Sequence, residues 1–187
     1  MAETAQPKTK ATTKEFPTEV VSLPSKGFFY AEDSSLKTGE VRIKYMTARE
    51  EDILTSRNLI NKGIVLDELL KSLIVDNGNG QPINMDELLI GDKNAIMISA
   101  RILGYGSDYE FEMNDPVTGE KVKDSIDLNL LNTKEIDFNS YTEHTNKFSF
   151  QLPISKKNIE FHILTHKDEK EIDIELKKLK KFTKAGG

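Results

Sequence analysis

The chain has 187 residues, of which 37% are hydrophobic and 30% charged, with no cysteine and three histidines, His144, His162 and His166. The missing cysteines exclude disulfides, thiolate zinc sites, iron–sulfur clusters and cysteine nucleophiles, and three histidines leave little from which to build a metal centre. No apolar stretch approaches the roughly 20 residues that cross a bilayer, and none follows Met1 as a secretory leader would require. These points lead us to expect an intracellular, non-redox protein without a cofactor. A net charge of −5 and a pI near 5.4 argue against a general nucleic-acid binder.

Charge divides the chain. Residues 1–15 carry Lys8, Lys10 and Lys14 against Glu3 and Glu15, with little that is apolar, so residues 1–19 read as a flexible arm. Lys177, Lys178, Lys180, Lys181 and Lys184 stand without an acid in residues 177–187, a basic tail. Between them lies a single acidic domain, residues 20–176, with no internal repeat or Pro-rich linker.

Within the domain, Val20, Val21 and Leu23 lead into a turn at Pro24-Ser25-Lys26-Gly27, where Pro fixes φ and Gly27 can take φ > 0. Phe28, Phe29 and Tyr30 follow at once. Val41 to Tyr45 alternates apolar with basic, as a half-buried strand does. Thr47-x-x-Glu50 is a capping box that starts a helix over about Ala48–Ile60, with Gly63 beyond its end. Leu66, Leu69, Leu70, Leu73 and Ile74 mark a second amphipathic helix, closed by Asn77-Gly-Asn-Gly80. Met85 to Leu89 reads as one short helical turn. Asp92 is the expected cap of a helix over about Lys93–Leu103, with Gly104 at its C′ position.

From Tyr109 the period changes to two. Tyr109, Phe111 and Met113 alternate with acids, Asp115 to Gly119 turns, and Lys121 to Leu128 returns. A second hairpin runs from Phe148 through Ile154, turns at Ser155–Asn158, and returns through Ile159, Phe161 and Ile163. Thr165-x-x-Asp168 caps a last helix that should turn Ile172, Leu176 and Leu179 inward. The reading is α+β: an N-terminal helical segment with a short strand, two β-hairpins forming antiparallel sheet, and a closing basic helix.

No G-x-S-x-G, P-loop, H-E-x-x-H or EF-hand pattern is present. Gly104-Tyr-Gly106 follows a helix, whereas a phosphate cradle follows a strand and opens one, so it reads as a helix end. His162 and His166 are four apart, but His162 falls in a strand with its side chain toward solvent, which gives no metal site. The acid pairs Glu50-Glu51 and Asp86-Glu87 sit in first helical turns, where the macrodipole favours them. No residue is a candidate for catalysis.

Two features are not used up by folding. Three adjacent rings cannot all face one core from a strand. One account buries Phe28 and Tyr30 and leaves Phe29 partly covered. The other makes Leu23, Pro24, Lys26, Gly27, Phe28, Phe29 and Tyr30 a contact patch with Phe29 facing the partner, since buried aromatics anchor interfaces. The lysines Lys177, Lys178, Lys180 and Lys181 are either a solvated helix end or a binding element for an acidic protein or nucleic acid.

The order Leu23-Pro-Ser-Lys-Gly27 with an aromatic following, a short strand, and Thr47-x-x-Glu50-Glu51-x-Ile53-Leu54 resembles the T4-type bacteriophage baseplate hub proteins. The resemblance continues in Gly91-Asp92, Arg101-x-x-x-Tyr105-Gly106, the hairpin from Tyr109, and Phe161-x-Ile163-Leu164-Thr165 before a charged helix. It implies a non-enzymatic structural or assembly component of a contractile-tail baseplate. The implied partners are other phage baseplate or tail proteins in an oligomeric assembly, and the implied location is the virion tail or the host cytoplasm during assembly. The alternative is a nucleic-acid-associated phage protein that uses the lysine cluster. Some relatives carry cysteine pairs near the first hairpin in the manner of a zinc knuckle. Here that loop is Met113-Asn-Asp-Pro-Val-Thr-Gly119 and the metal role lapses. Relatives also extend past the basic helix, so this chain is expected to be a shorter homologue or to lack a C-terminal region.

Overall fold

The computed structural model describes residues 16–185, with side chains as far as Lys180. Residues 1–15, most of the expected arm, and the side chains of Lys181 and Lys184 lie outside the described residues. The first element, β1 (Thr18–Ser22), takes in Thr18 and Glu19 of the expected arm and pairs antiparallel with β2 (Glu40–Lys44), Val21 opposite Val41. The connection between them is a chain of turns rather than an extended run. Lys26 N donates to Leu23 O, Phe28 N to Ser25 O and Tyr30 N to Gly27 O.

Gly27 has φ +79°, and a Cβ there would stand 2.2 Å from Lys37 O. It faces Gly39, at φ +71°, whose own Cβ would meet the Lys26 carbonyl oxygen at 2.8 Å. Two backbone turns thus cross where neither can carry a side chain.

The capping box forms at Thr47 and Glu50 and starts α1 (Ala48–Thr55). The expected single helix breaks at Ser56, whose extended ψ of 103° separates α1 from α2 (Arg57–Lys62). Gly63 closes α2 in the left-handed region, as its position suggested. The leucine-rich α3 (Val65–Leu73) buries Leu69, Leu70 and Leu73, then passes directly into β3 (Ile74–Asp76), which joins β2 as the third strand of the sheet. A 3-10 turn, Met85–Glu87, precedes α4 (Ile90–Tyr105). The core lies between the three-stranded sheet and these helices, around Leu23, Leu36, Val41, Ile43, Leu70, Leu73, Leu88 and Ile96.

Two expectations for α4 are corrected. Its N-cap is Leu89, with Asp92 inside the first turn, and the helix runs through Gly104 to end at Gly106. Asp92 has buried partners elsewhere in the chain, so it does not serve as the cap. Gly104 lies within the helix, and the positive-φ glycine that closes it is Gly106, two positions later.

Both hairpins form, each as its own two-stranded sheet. The first is β4 (Asp108–Asn114) with β5 (Lys121–Asp127); the second is β6 (Phe148–Gln151) with β7 (Asn158–Phe161). The second is shorter than its alternation implied, because Ile154 falls in the turn after Gln151. The Asn146 side chain continues the ladder, accepting from Ile163 N and donating to Ile163 O, both at 2.8 Å. Thr165 and Asp168 cap α5 (His166–Ala185). Ile172, Leu176 and Leu179 do not turn inward: Leu176 is 47% and Leu179 60% exposed. Amphipathic spacing places them on one face, which stays largely exposed among the described residues.

Candidate partner-binding surface

The segment from Leu23 to Tyr30 is held from beneath. Asp92 in the first turn of α4 accepts from Ser25 N at 3.0 Å, from Ser25 Oγ at 2.6 Å and from the Tyr30 hydroxyl at 2.6 Å, all buried. Its carboxylate also lies where the helix dipole favours negative charge. The Tyr30 oxygen in turn accepts from Leu89 N at 3.1 Å. Burial, and then the nearby Asp92 carboxylate, raise the Tyr30 pKa far above the ordinary phenol value, so it stays a donor. Asp92 was legible only as a helix residue, since its partners are more than 60 positions away in sequence.

This arrangement corrects the orientation expected for the three rings. They sit on successive turns, so strand alternation does not apply. Phe29 is 5% exposed and Tyr30 is buried, whereas Phe28 is half-buried. Leu23 and Gly27 are also buried, Pro24 is half-buried, and Lys26 is exposed with its Nζ 5.7 Å from the Phe138 ring centre.

Phe29 roots a chain of rings that climbs to the surface. It meets Tyr141 at 5.7 Å and Phe148 at 5.9 Å between centroids, and Phe148 stacks on Phe161 at 5.4 Å. Phe28 packs on Phe138 at 4.8 Å. His144 fixes the returning segment by donating its backbone N–H to Phe28 O at 2.8 Å. Across β6 and β7 the pairs Phe148–Phe161 and Phe150–Ile159 share one face, with Phe150 53% and Phe161 51% exposed. Ser149, Gln151, Asn158 and Glu160 take the opposite, polar face.

The first hairpin repeats this design. Tyr109, Phe111, Met113, Val122 and Ile126 share one face with Asp124, and the Arg101 guanidinium lies over the Tyr109 ring at 5.7 Å, while Glu110, Glu112 and Lys123 lie on the other face. A lone two-stranded ribbon is marginal in water, and an uncovered apolar face marks an interaction surface.

A buried charge cluster seats α5. Lys93 Nζ lies 2.5 Å from Glu169 Oε2, 3.5 Å from Asp67 Oδ1 and 3.2 Å from His166 Nδ1, so α3, α4 and α5 meet at one ammonium. The bond from Lys93 holds the Glu169 carboxyl below its ordinary range. Beyond this first turn Lys170 pairs with Asp86 at 2.6 Å, and Lys177 and Lys178 stand on the exposed part of α5 with Lys180. Sequence patterning missed this cluster because its acids and lysine come from three distant segments. No helix among the described residues is long and apolar enough to cross a membrane.

The family model described as T4 bacteriophage base plate protein matches residues 23–182. The chain belongs to that family. The match begins at Leu23, runs through the segment held by Asp92, both hairpins and most of α5, and makes this protein a structural component of a phage baseplate, with other tail and baseplate proteins as its neighbours. No curated protein and no solved structure matches the chain.

Proposed function

We propose that this baseplate protein is a non-enzymatic hub component that acts by protein–protein contact, in the host cytoplasm during assembly and then in the virion tail. The observation that carries the reading is the pair of hairpins, each with a largely apolar face that stays exposed or half-exposed among the described residues. Neighbouring baseplate chains supply the missing layer. Phe150 and Phe161 of the second hairpin, with Tyr141 from the segment before it, make the contact, with Pro24, Lys26 and Phe28 at its rim. Leu23, Gly27, Phe29 and Tyr30 support that surface from below. Lys177, Lys178, Lys180 and Lys181 add a basic element for an acidic partner.

The experiment is affinity purification of the tagged chain from infected cells, with wild type beside Phe150→Ser/Phe161→Ser. Wild type should retain baseplate proteins and the double variant should lose them, with a melting curve showing that it stays folded without the Phe148–Phe161 stack. Equal recovery by both would refute the contact. The lysines also allow nucleic-acid binding. Phosphate contacts weaken steeply with salt, so retention of baseplate partners in high salt, with nucleic acid released, separates the two readings.

A further inference from the structure

The three-stranded sheet ends on β1, and that end is open. Backbone bonds from Leu23 N to Gly39 O and from Tyr45 N to Pro17 O continue the β1–β2 ladder, in which Glu19 faces Ile43 and Val21 faces Val41. In an antiparallel ladder, residues that exchange bonds alternate with residues that do not. Thr18, Val20 and Ser22 therefore turn their N–H and C=O groups away from β2. β1 is the outermost strand, all three residues are exposed, and no backbone group among the described residues bonds to those outward groups.

Proteins blunt such edges with shortness, bulges, proline or lysine. The opposite end of the sheet is protected in this way, since β3 has only 3 residues and its register with β2 shifts between Arg42 and Ile43. β1 has 5 residues in unbroken register with β2, with no lysine or proline among them. Its β-branched Thr18, Val20 and Val21 suit a sheet. A regular strand left open in this way is a template for another.

We infer that β1 pairs antiparallel with β1 of a second copy of this chain, joining the two three-stranded sheets into one. The strand is self-complementary in the register that places Val20 on the two-fold axis. Thr18 then stands opposite Ser22 of the second copy, and Val20 opposite its own counterpart. These are the residues whose backbone groups point outward, so each opposed pair closes both of its hydrogen bonds. On one face the two valines pack together and threonine meets serine, both favourable cross-strand pairs. On the other, Glu19 meets Val21, so no like charges are opposed. The match of each residue to its mirror position in Thr18–Ser22 selects a second copy over an unrelated strand. The contact is isologous and closes as a dimer.

Sedimentation equilibrium of the purified full chain, from micromolar to millimolar concentration, tests this without any other phage protein. Neither hairpin takes part, so its failure leaves the baseplate contact untouched. The expected result is a monomer–dimer equilibrium, with amide exchange at Thr18, Val20 and Ser22 slowing as the dimer fills. The Glu19 and Val21 amides, already bonded to β2, should exchange slowly throughout. Val20→Lys and Val20→Glu should each weaken association by about tenfold or more, because like charges then meet across the axis. Mixing these two variants should restore it. Val20→Pro removes an outward N–H that β2 does not use and should abolish the dimer. Val20 is 44% exposed, so the lysine and glutamate variants should melt like wild type and keep the test decisive if proline distorts the strand. A chain monomeric throughout, a dimer whose Thr18, Val20 and Ser22 amides exchange as fast as in the monomer, or mixed variants no tighter than each alone would overturn the inference.

Discussion

The Tyr30 hydroxyl donates to Asp92 Oδ2 across 2.6 Å while accepting from Leu89 N at 3.1 Å, so one phenol bridges a loop, a buried carboxylate and the first turn of α4. Tyr30→Phe would leave the Leu89 amide without its acceptor and Asp92 without one of three donors. An unsatisfied buried polar group costs about 1–3 kcal/mol. Asp92→Ala would strand the Ser25 amide, the Ser25 hydroxyl and the Tyr30 hydroxyl together, and should cost more. Urea unfolding of both variants checks the order. A Tyr30→Phe variant as stable as wild type would mean that water replaces the phenol.

Gly27→Ala should also destabilise strongly. The new Cβ would fall 2.2 Å from Lys37 O, and the residue would have to hold φ +79°. Backbone lies on both sides of the contact, so neither side can yield by a change of rotamer. A loss of at least about 2 kcal/mol is expected, measured as a lower urea midpoint at unchanged slope.

Local grammar was readable in this chain. The boxes at Thr47–Glu50 and Thr165–Asp168 and the two hairpins depend on residues within a few positions of each other, and they form where expected. Pairings that span distance were hidden. The three residues of β3 look like the end of α3, and only β2, more than 30 positions earlier, makes them a strand. Asp92 before an apolar helix reads as a cap because its partners, Ser25 and Tyr30, come from the other end of the domain. For α5 the amphipathic spacing grouped Ile172, Leu176 and Leu179 on one face, but the expectation that this face turns inward failed, since spacing alone does not position a helix on the core. At Phe29 the strand assumption failed, since turns rather than pleats set the directions of the rings.

Glu50 gives the fold a pH dependence with a definite sign. Its carboxylate is fully buried, and burial alone would raise its pKa. Bonds from Lys44 at 2.8 Å, Ser72 at 2.5 Å and Thr47 outweigh that and hold it at about 2, against 4.5 for a free glutamate. A depressed folded-state pKa stabilises above the unfolded value, and the stabilisation fades as pH falls from about 4.5 toward 2. The difference corresponds to roughly 3 kcal/mol. Wild type should therefore lose stability over that window, while Glu50→Gln, weaker at pH 7, should show a flatter profile. Parallel curves for the two proteins would sink the assignment.

The last prediction separates the root of the aromatic cluster from its tip. Phe29 is 5% exposed and touches Phe28, Phe138, Tyr141 and Phe148, whereas Phe150 is 53% exposed on the apolar face of the hairpin. Phe29→Ala removes a buried ring and leaves a cavity under the β6–β7 hairpin, so it should cost about 3–5 kcal/mol. In a domain of this size that lowers the melting temperature by on the order of 10 °C. Phe150→Ala removes a ring already half in water and should leave the melting temperature nearly unchanged. At an interface the same truncation can cost about 2 kcal/mol or more, a loss of roughly 30-fold in affinity for the partner. Melting both variants, and measuring how much of each enters baseplate subassemblies, resolves the two roles. If Phe150→Ala assembles like wild type, or Phe29→Ala melts like wild type, the ring cluster does not connect core to partner as described.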